Sequence, residues 1–225
     1  MQQLVAGIHH FQQHVQPGQR QLFASLARGQ NPQALFITCS DSRIVPNLIT
    51  NTEPGDLFLL RNVGNLVPAY YAQHADSSAA AAIEFAVAVL EVPAIVVCGH
   101  SKCGAVDALL HPEKVAGHPS VSGWLKHAEA TRRIVQEKYA HLSDEKRLNV
   151  AVQENVLAQL ENLRTHPAVA AALASGRLTL HGWVYKFESC EVFTYSPDVE
   201  QFVAVNGDAA PAFATTFGAR AIQSI

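Results

Sequence analysis

The chain has 225 residues, 48% of them hydrophobic and 16% charged, with a formal net charge of −3. Those proportions supply a sizeable core and exclude a disordered chain. Without a basic excess, neither nucleic acid nor an anionic membrane surface is an expected partner.

Residues 2–28 have a helical pattern, interrupted near Pro17 and Gly18. No basic segment followed by an unbroken apolar stretch opens the chain, so no secretory signal is expected. Residues 34–38 (ALFIT) are a short apolar run before a polar turn, the pattern of a buried strand. A turn at 53–56 leads into a second buried strand at 56–61. Residues 77–92 predict a helix with Asp76 or Ser77 as N-cap, ended by Pro93. The apolar stretch 79–98 is broken by Glu84, Glu91 and Pro93, so it fails as a membrane span, which needs ~20 apolar residues.

A third strand is expected at 94–99 and a helix from near Cys103. Helices are expected at 120–139 and 144–164, then a short one with Pro167 at its first position, ending at Gly176. Residues 177–184 and 191–195 have strand composition and predict an antiparallel pair. From Asn206 onward no element is predicted.

Strands alternating with helices predict an α/β fold: a mainly parallel central sheet flanked by helices, with an antiparallel edge strand and an N-terminal helical extension. No fixed-period repeat or low-complexity linker divides the chain. The expected organisation is one domain over 1–225, with 1–30 as the helical extension and 206–225 as a C-terminal tail. Four cysteines in this length do not make a disulfide scaffold, and a cytoplasmic location with reduced thiols is expected.

Two motifs carry chemistry. Cys39-Ser-Asp41-Ser-Arg43 directly follows the first strand, and Gly99-His100-Ser-Lys-Cys103-Gly104 directly follows the third. Carboxyl ends of parallel strands are where open α/β sheets bind ligands. If the two strands are neighbours, Cys39, His100 and Cys103 converge. Two thiolates and an imidazole suit zinc and leave a fourth position open. The spacing alone is only a fragment of a zinc pattern, and small core residues in tight turns would look the same. Asp41 beside a metal would be a fourth ligand, or would accept a hydrogen bond from water there. Arg43 would hold it ionised through a bidentate pair; a structural ion pair at a strand end is the other reading.

Together with Glu53-Pro-Gly-Asp56, Arg61-Asn-Val-Gly-Asn65 and His181-Gly-Trp-Val-Tyr185, these motifs make the chain resemble the β-class carbonic anhydrases. It is most similar to the bacterial cyanate-operon type and the plant-like subgroup. The resemblance spans roughly residues 1–205. It implies reversible hydration of CO2 to bicarbonate and a proton, by attack of zinc-bound hydroxide. One Zn2+ per chain would be held by Cys39, His100 and Cys103, with Asp41 and Arg43 as the supporting dyad. Gln30 falls where the plant-like group has a glutamine that donates to substrate, and the Gly104 N–H at another substrate contact. Phe58, Val63 and Phe85 fall where the family lines an apolar CO2 pocket, partly from a neighbouring subunit.

Phe85 departs from the Tyr common in plant-like members. Phe36 and Thr38 replace the Trp and Gly of a non-catalytic bicarbonate site found in members that close at low pH. The expected state is therefore open, with Asp41 on Arg43. The resemblance also implies self-association, a dimer at least, with a tetramer or octamer expected.

Two other readings keep parts of this site. A CS2 or COS hydrolase would share the metal site, and a noncatalytic zinc or nucleotide-binding α/β module would share the fold. The nucleotide version lacks any glycine-rich phosphate loop. Cys98 is expected to be a small buried hydrophobe, and Cys190 an incidental turn thiol in preference to a regulatory one. His9, His10 and His14 are expected on a solvated or interface helix face, and Trp124 and Trp183 in packing. His74 is expected at the surface, with proton export as its less favoured role.

Overall fold

The computed structural model describes residues 1–72, 77–205, 223 and 224. Helices α1 (Gln2–His10) and α2 (Arg20–Leu26) are joined by a π-helical turn and a 3-10 turn, the latter holding Pro17 and Gly18. Strand β1 (Ala34–Cys39) follows, then a short α3 (Pro46–Thr50), β2 (Leu57–Asn62) and α4 (Ser78–Glu84), which a π-helical turn (Phe85–Val89) continues. Next come β3 (Ala94–His100), α5 (Gly104–Leu110), α6 (Pro119–Leu125), α7 (Glu129–Lys138), α8 (Asp144–Arg164) and α9 (Pro167–Ala174). Strands β4 (Thr179–Tyr185), β5 (Val192–Ser196) and β6 (Gln201–Ala204) close the described order.

The six strands form one sheet in the order β2-β1-β3-β4-β5-β6. The first four are parallel, and β5 and β6 are antiparallel. The expected pair at 177–195 therefore exists as β4 and β5, with β4 the last strand of the parallel set. The unpredicted β6 follows β5 as a second antiparallel strand, and α3 was also unpredicted.

Burial explains the order. Every residue of β1 is buried, as an apolar strand in the middle of a covered sheet must be. Leu35 and Ile37 face the main core, while Phe36 faces a smaller cluster with Ile44, Val96 and Cys98. Strand β2 alternates between half-buried and exposed residues, as an edge strand does.

Helix α8 is the main cover of β3 and β4. A Cβ on Gly99 would come within 2.9 Å of Val156, and one on Gly182 within 2.9 Å of Leu160. The missing side chains let the helix lie close to the sheet.

The Ser77 hydroxyl accepts the Ala80 N–H and caps α4 as predicted, while Asp76 lies outside the described residues. The helix expected over 77–92 changes to π geometry at Phe85. The helix expected over 120–139 is interrupted by a 3-10 turn at Lys126–Ala128. Among the described residues no helix is long and apolar enough to cross a membrane.

Candidate metal centre

Because β1 and β3 are hydrogen-bonded neighbours with Thr38 level with Cys98, their carboxyl ends meet. Cys39 ends β1, His100 ends β3, and Cys103 caps the start of α5. The ligand atoms of the three lie within 4.8 Å of one another, and all three residues are buried.

Two observations fit this cluster to a metal ion. His100 Nδ1 lies 2.9 Å from the Ser101 carbonyl, to which it donates, so Nε2 is left with a bare lone pair. That Nε2 is buried with no hydrogen-bond partner, and an orphaned acceptor facing two sulfurs is what a metal ligand looks like. The sulfurs themselves supply the second observation. Contact with the Cys103 thiol draws Cys39 well below its ordinary value, against burial, and the Gly64 N–H helps. The same contact, together with burial, pushes Cys103 far up. Two sulfurs this close do not both ionise readily without a cation between them.

Arg43 grips Asp41 at two points, Nε to Oδ1 at 2.9 Å and Nη2 to Oδ2 at 2.7 Å, and the Arg43 backbone N–H adds a third bond at 3.0 Å. These bonds hold the carboxyl well below the usual range. Asp41 Oδ2 lies 3.9 Å from His100 Nε2, so a charged acceptor stands at the mouth of the cluster while paired to Arg43.

The motif at 61–65 has a structural role that sequence reading left undefined. Arg61 donates to the carbonyls of Cys39 at 3.1 Å and Asp41 at 2.7 Å, fixing the turn that carries both. Asn62 closes the next turn through two bonds to the Leu66 backbone. Within that turn, Gly64 has φ +82° and its N–H points at Cys39 Sγ, 3.4 Å away.

Helix α8 braces this turn from behind. Asn155 Nδ2 donates to the Gly64 carbonyl at 3.0 Å, Gln159 Oε1 accepts the Val67 N–H at 2.8 Å, and Asn162 Nδ2 donates to the Val67 carbonyl at 2.8 Å. Asn155 and Gln159 are buried polar residues set beside the valines and leucines with which α8 covers the sheet. Their spacing of four residues was the only available signal.

The other predicted residues divide. Gly104 heads α5, directly after Cys103, and a Cβ there would meet nothing within 4 Å. Val63 lies in the turn after β2, beside Gly64, with its carbonyl accepting the Trp124 indole N–H at 2.7 Å. Phe58 and Phe85 stack with centroids 5.9 Å apart. They do so beside the start of β2, level with Leu35, not at the Cys39 end. Arg177 donates to the Val87 carbonyl at 2.9 Å and so grips the π-helical turn that Phe85 begins. Gln30 is exposed before β1, at the opposite end of that strand from Cys39. Within one chain, Gln30, Phe58 and Phe85 are thus not brought to the metal cluster.

Cys98 is buried mid-strand and pushed up to about 12 by desolvation, as an inert thiol should be. Cys190 is exposed in a turn at φ +58°. His10 and His14 stack on an exposed face, and Trp183 packs edge-on against Phe36. His74 lies outside the described residues.

The family model described as carbonic anhydrase matches residues 34–192. A carbonic anhydrase of Pseudomonas aeruginosa is 50% identical over 205 residues, covering 91% of this chain and 92% of the relative. Another, from Synechocystis, is 48% identical over 205 residues, covering 91% and 74%. Among solved structures, the β-carbonic anhydrase CcaA superposes with a TM-score of 0.89 at 46% identity, covering 93% of this chain and 94% of its own. A structure described as one of two tetrameric β-carbonic anhydrases from Sordaria macrospora superposes at 0.76 with 30% identity, covering 86% and 95%. With sequence, sheet order and the convergence of two cysteines and a histidine in agreement, this chain belongs to the carbonic anhydrase family, in its β class.

Proposed function

We infer that this chain catalyses the reversible hydration of CO2 to bicarbonate and a proton at a single zinc site formed by Cys39, His100 and Cys103. The observation that carries this reading is the bare His100 Nε2 facing two sulfurs, with the Asp41–Arg43 pair at the mouth of the same cluster. When bound there, zinc supplies Lewis acidity that makes hydroxide available near neutral pH.

The chain's own residues do the rest. Asp41, kept ionised by Arg43, orients the attacking oxygen by accepting its proton in a hydrogen bond. The Gly104 N–H donates to the oxygens on which charge develops. Arg61 and the Asn62 turn hold Cys39 and Asp41 in register, so little reorganisation accompanies reaction.

Gln30, Phe58 and Phe85 belong to the same reading as residues that a second copy of the chain presents, with Val63 between the two. The support is their position on an open sheet edge, where Leu59 and Phe85 remain 42% and 43% exposed. Helices α1 and α2, which bury no residue in the single chain, supply a further unpartnered apolar surface. We therefore read the working unit as at least a dimer, with a tetramer or octamer built from it. A cytoplasmic location is part of the reading and is supported by four unpaired thiols.

Stopped-flow CO2 hydration by the zinc-loaded protein tests the proposal. Turnover of CO2 is expected; hydrolysis of CS2 or COS without CO2 hydration would replace the substrate, and no turnover of any of them would leave only a zinc-binding module.

A further inference from the structure

Phe187 sits in the turn joining β4 to β5 and was assigned no role by the sequence. Its ring touches both halves of the site. The Arg43 guanidinium carbon lies 4.5 Å from the ring centroid. On the same ring, the His100 imidazole centroid lies 5.0 Å away, tilted by 51°. Tyr185 meets it edge-on at 5.4 Å.

A guanidinium carries its donors around its rim and has two free faces. A ring on one face fixes the plane while leaving the rim for hydrogen bonds. Here the rim donates to both Asp41 oxygens and to the Lys102 carbonyl at 3.3 Å.

The turn that carries Phe187 is itself fastened to the loop that carries two of the metal-site residues. The Phe187 N–H donates to Ser101 Oγ at 3.0 Å, and Ser101 Oγ donates to Glu188 Oε2 at 2.7 Å. Lys102 Nζ lies 3.2 Å from Glu188 Oε1. Ser101 and Lys102 stand between His100 and Cys103. The ring is therefore placed by the same backbone that places His100. The Arg43 side chain is half exposed, so its bonds to Asp41 and to the Lys102 carbonyl hold its rim while the ring covers one face.

We propose that Phe187 is a positioning residue for the reaction: its ring fixes the plane of the Arg43 guanidinium, and so keeps the Asp41 carboxylate turned to Arg43 and away from the Cys39–His100–Cys103 cluster. This rests on the carbonic anhydrase reading above. The contact needs an aromatic face, and an apolar side chain of similar volume does not replace it.

Three zinc-loaded proteins decide the matter: the parent, Phe187→Leu and Phe187→Tyr, compared in kcat and KM for CO2, zinc content and crystal structure. In Phe187→Leu, kcat falls about tenfold, corresponding to about 1.4 kcal/mol, with KM and zinc content near the parent's. The two-point Asp41–Arg43 bond is lost in its structure. Phe187→Tyr restores both the rate and the bond. Should Phe187→Leu fail to fold, Phe187→Met carries the same comparison. A leucine or methionine variant with parental kcat and an intact Asp41–Arg43 bond overturns the inference. So does a tyrosine variant as impaired as leucine, which would make the ring mere packing. If the parent itself hydrates no CO2, the functional reading falls, and the Asp41–Arg43 geometry of the variants still decides whether the ring positions the arginine.

Discussion

The orphaned Nε2 of His100 and the two sulfurs beside it make the sharpest demand at the scale of single residues. Replacing Cys103 by Ser leaves one thiolate and one imidazole as good donors. Outer-shell partners alone are worth about 10–100-fold in metal affinity, so loss of a direct donor exceeds that. Cys103→Ser should carry far less than one zinc per chain by elemental analysis, and no activity. Asp41→Asn asks a different question. It keeps all three donors but replaces an acceptor oxygen with an amide that faces Arg43 as a donor. We expect zinc retained and kcat/KM lowered by about 10²-fold; an unchanged rate at full zinc content would remove Asp41 from the mechanism. Cys39 and His100 were legible in the sequence because each closes an apolar run where a strand must end, and Asp41 and Cys103 because they follow within three residues. Phe187 and Asn155 were not legible. Asn155 reaches the Gly64 carbonyl across 91 positions, and no local pattern announces a partner that distant.

Among the elements, α8 does two jobs with one face. Its valines and leucines cover the sheet at Gly99 and Gly182, and its buried amides brace the turn that presents Gly64 to Cys39. Gln159→Leu would leave the Val67 N–H buried without an acceptor, at about 1–3 kcal/mol. Gly182→Ala would drive a methyl into Leu160 and Val156, also at about 1–3 kcal/mol. Either should lower Tm by several degrees in calorimetry at one fixed protein concentration. An unchanged Tm would mean that α8 relaxes away from the sheet. The sequence showed α8 over its full length, because the apolar period persists through many turns. It did not show α3, whose five residues are too few for any period to register. Strand β6 escaped for a related reason: four residues with partly polar composition become a strand only through pairing with β5. The change to π geometry at Phe85 leaves no mark in composition, since its evident partner is the Arg177 guanidinium from another part of the chain.

The whole molecule adds surface and charge. If the β2 edge and the N-terminal helices are covered by a second copy, Leu59→Arg should shift light scattering toward smaller species and lower activity with them. A stable, active monomer in the parent protein would refute that assembly. Acid should loosen the fold in a defined window. Arg132 and Arg133 hold Glu129 down to about 2, and Ser101 and Lys102 do the same for Glu188. Arg43 lowers Asp41 as well. These carboxyls bind protons more tightly in the unfolded chain, so their contribution is complete above about pH 4.5 and is lost as pH falls toward 2. Each is substantially solvated and its share is small. Burial lowers His127 and His166, so some stability is already lost as pH falls below 6.5, and the carboxyls add a further decline below about 4.5; a Tm that holds level down to pH 3 would contradict the sign. The meeting of β1 and β3 has one more consequence. Cys39 and His100 stand 61 positions apart, so a cation held by both closes a long loop in the manner of a covalent staple. In the chain-entropy picture, a cross-link of that span removes about 4 kcal/mol of freedom from the denatured chain. Chelation should then do more than silence a catalyst: it should release this staple and leave β1 and β3 joined by their hydrogen bonds and packing alone, so that protease finds the stripped protein well before heat does.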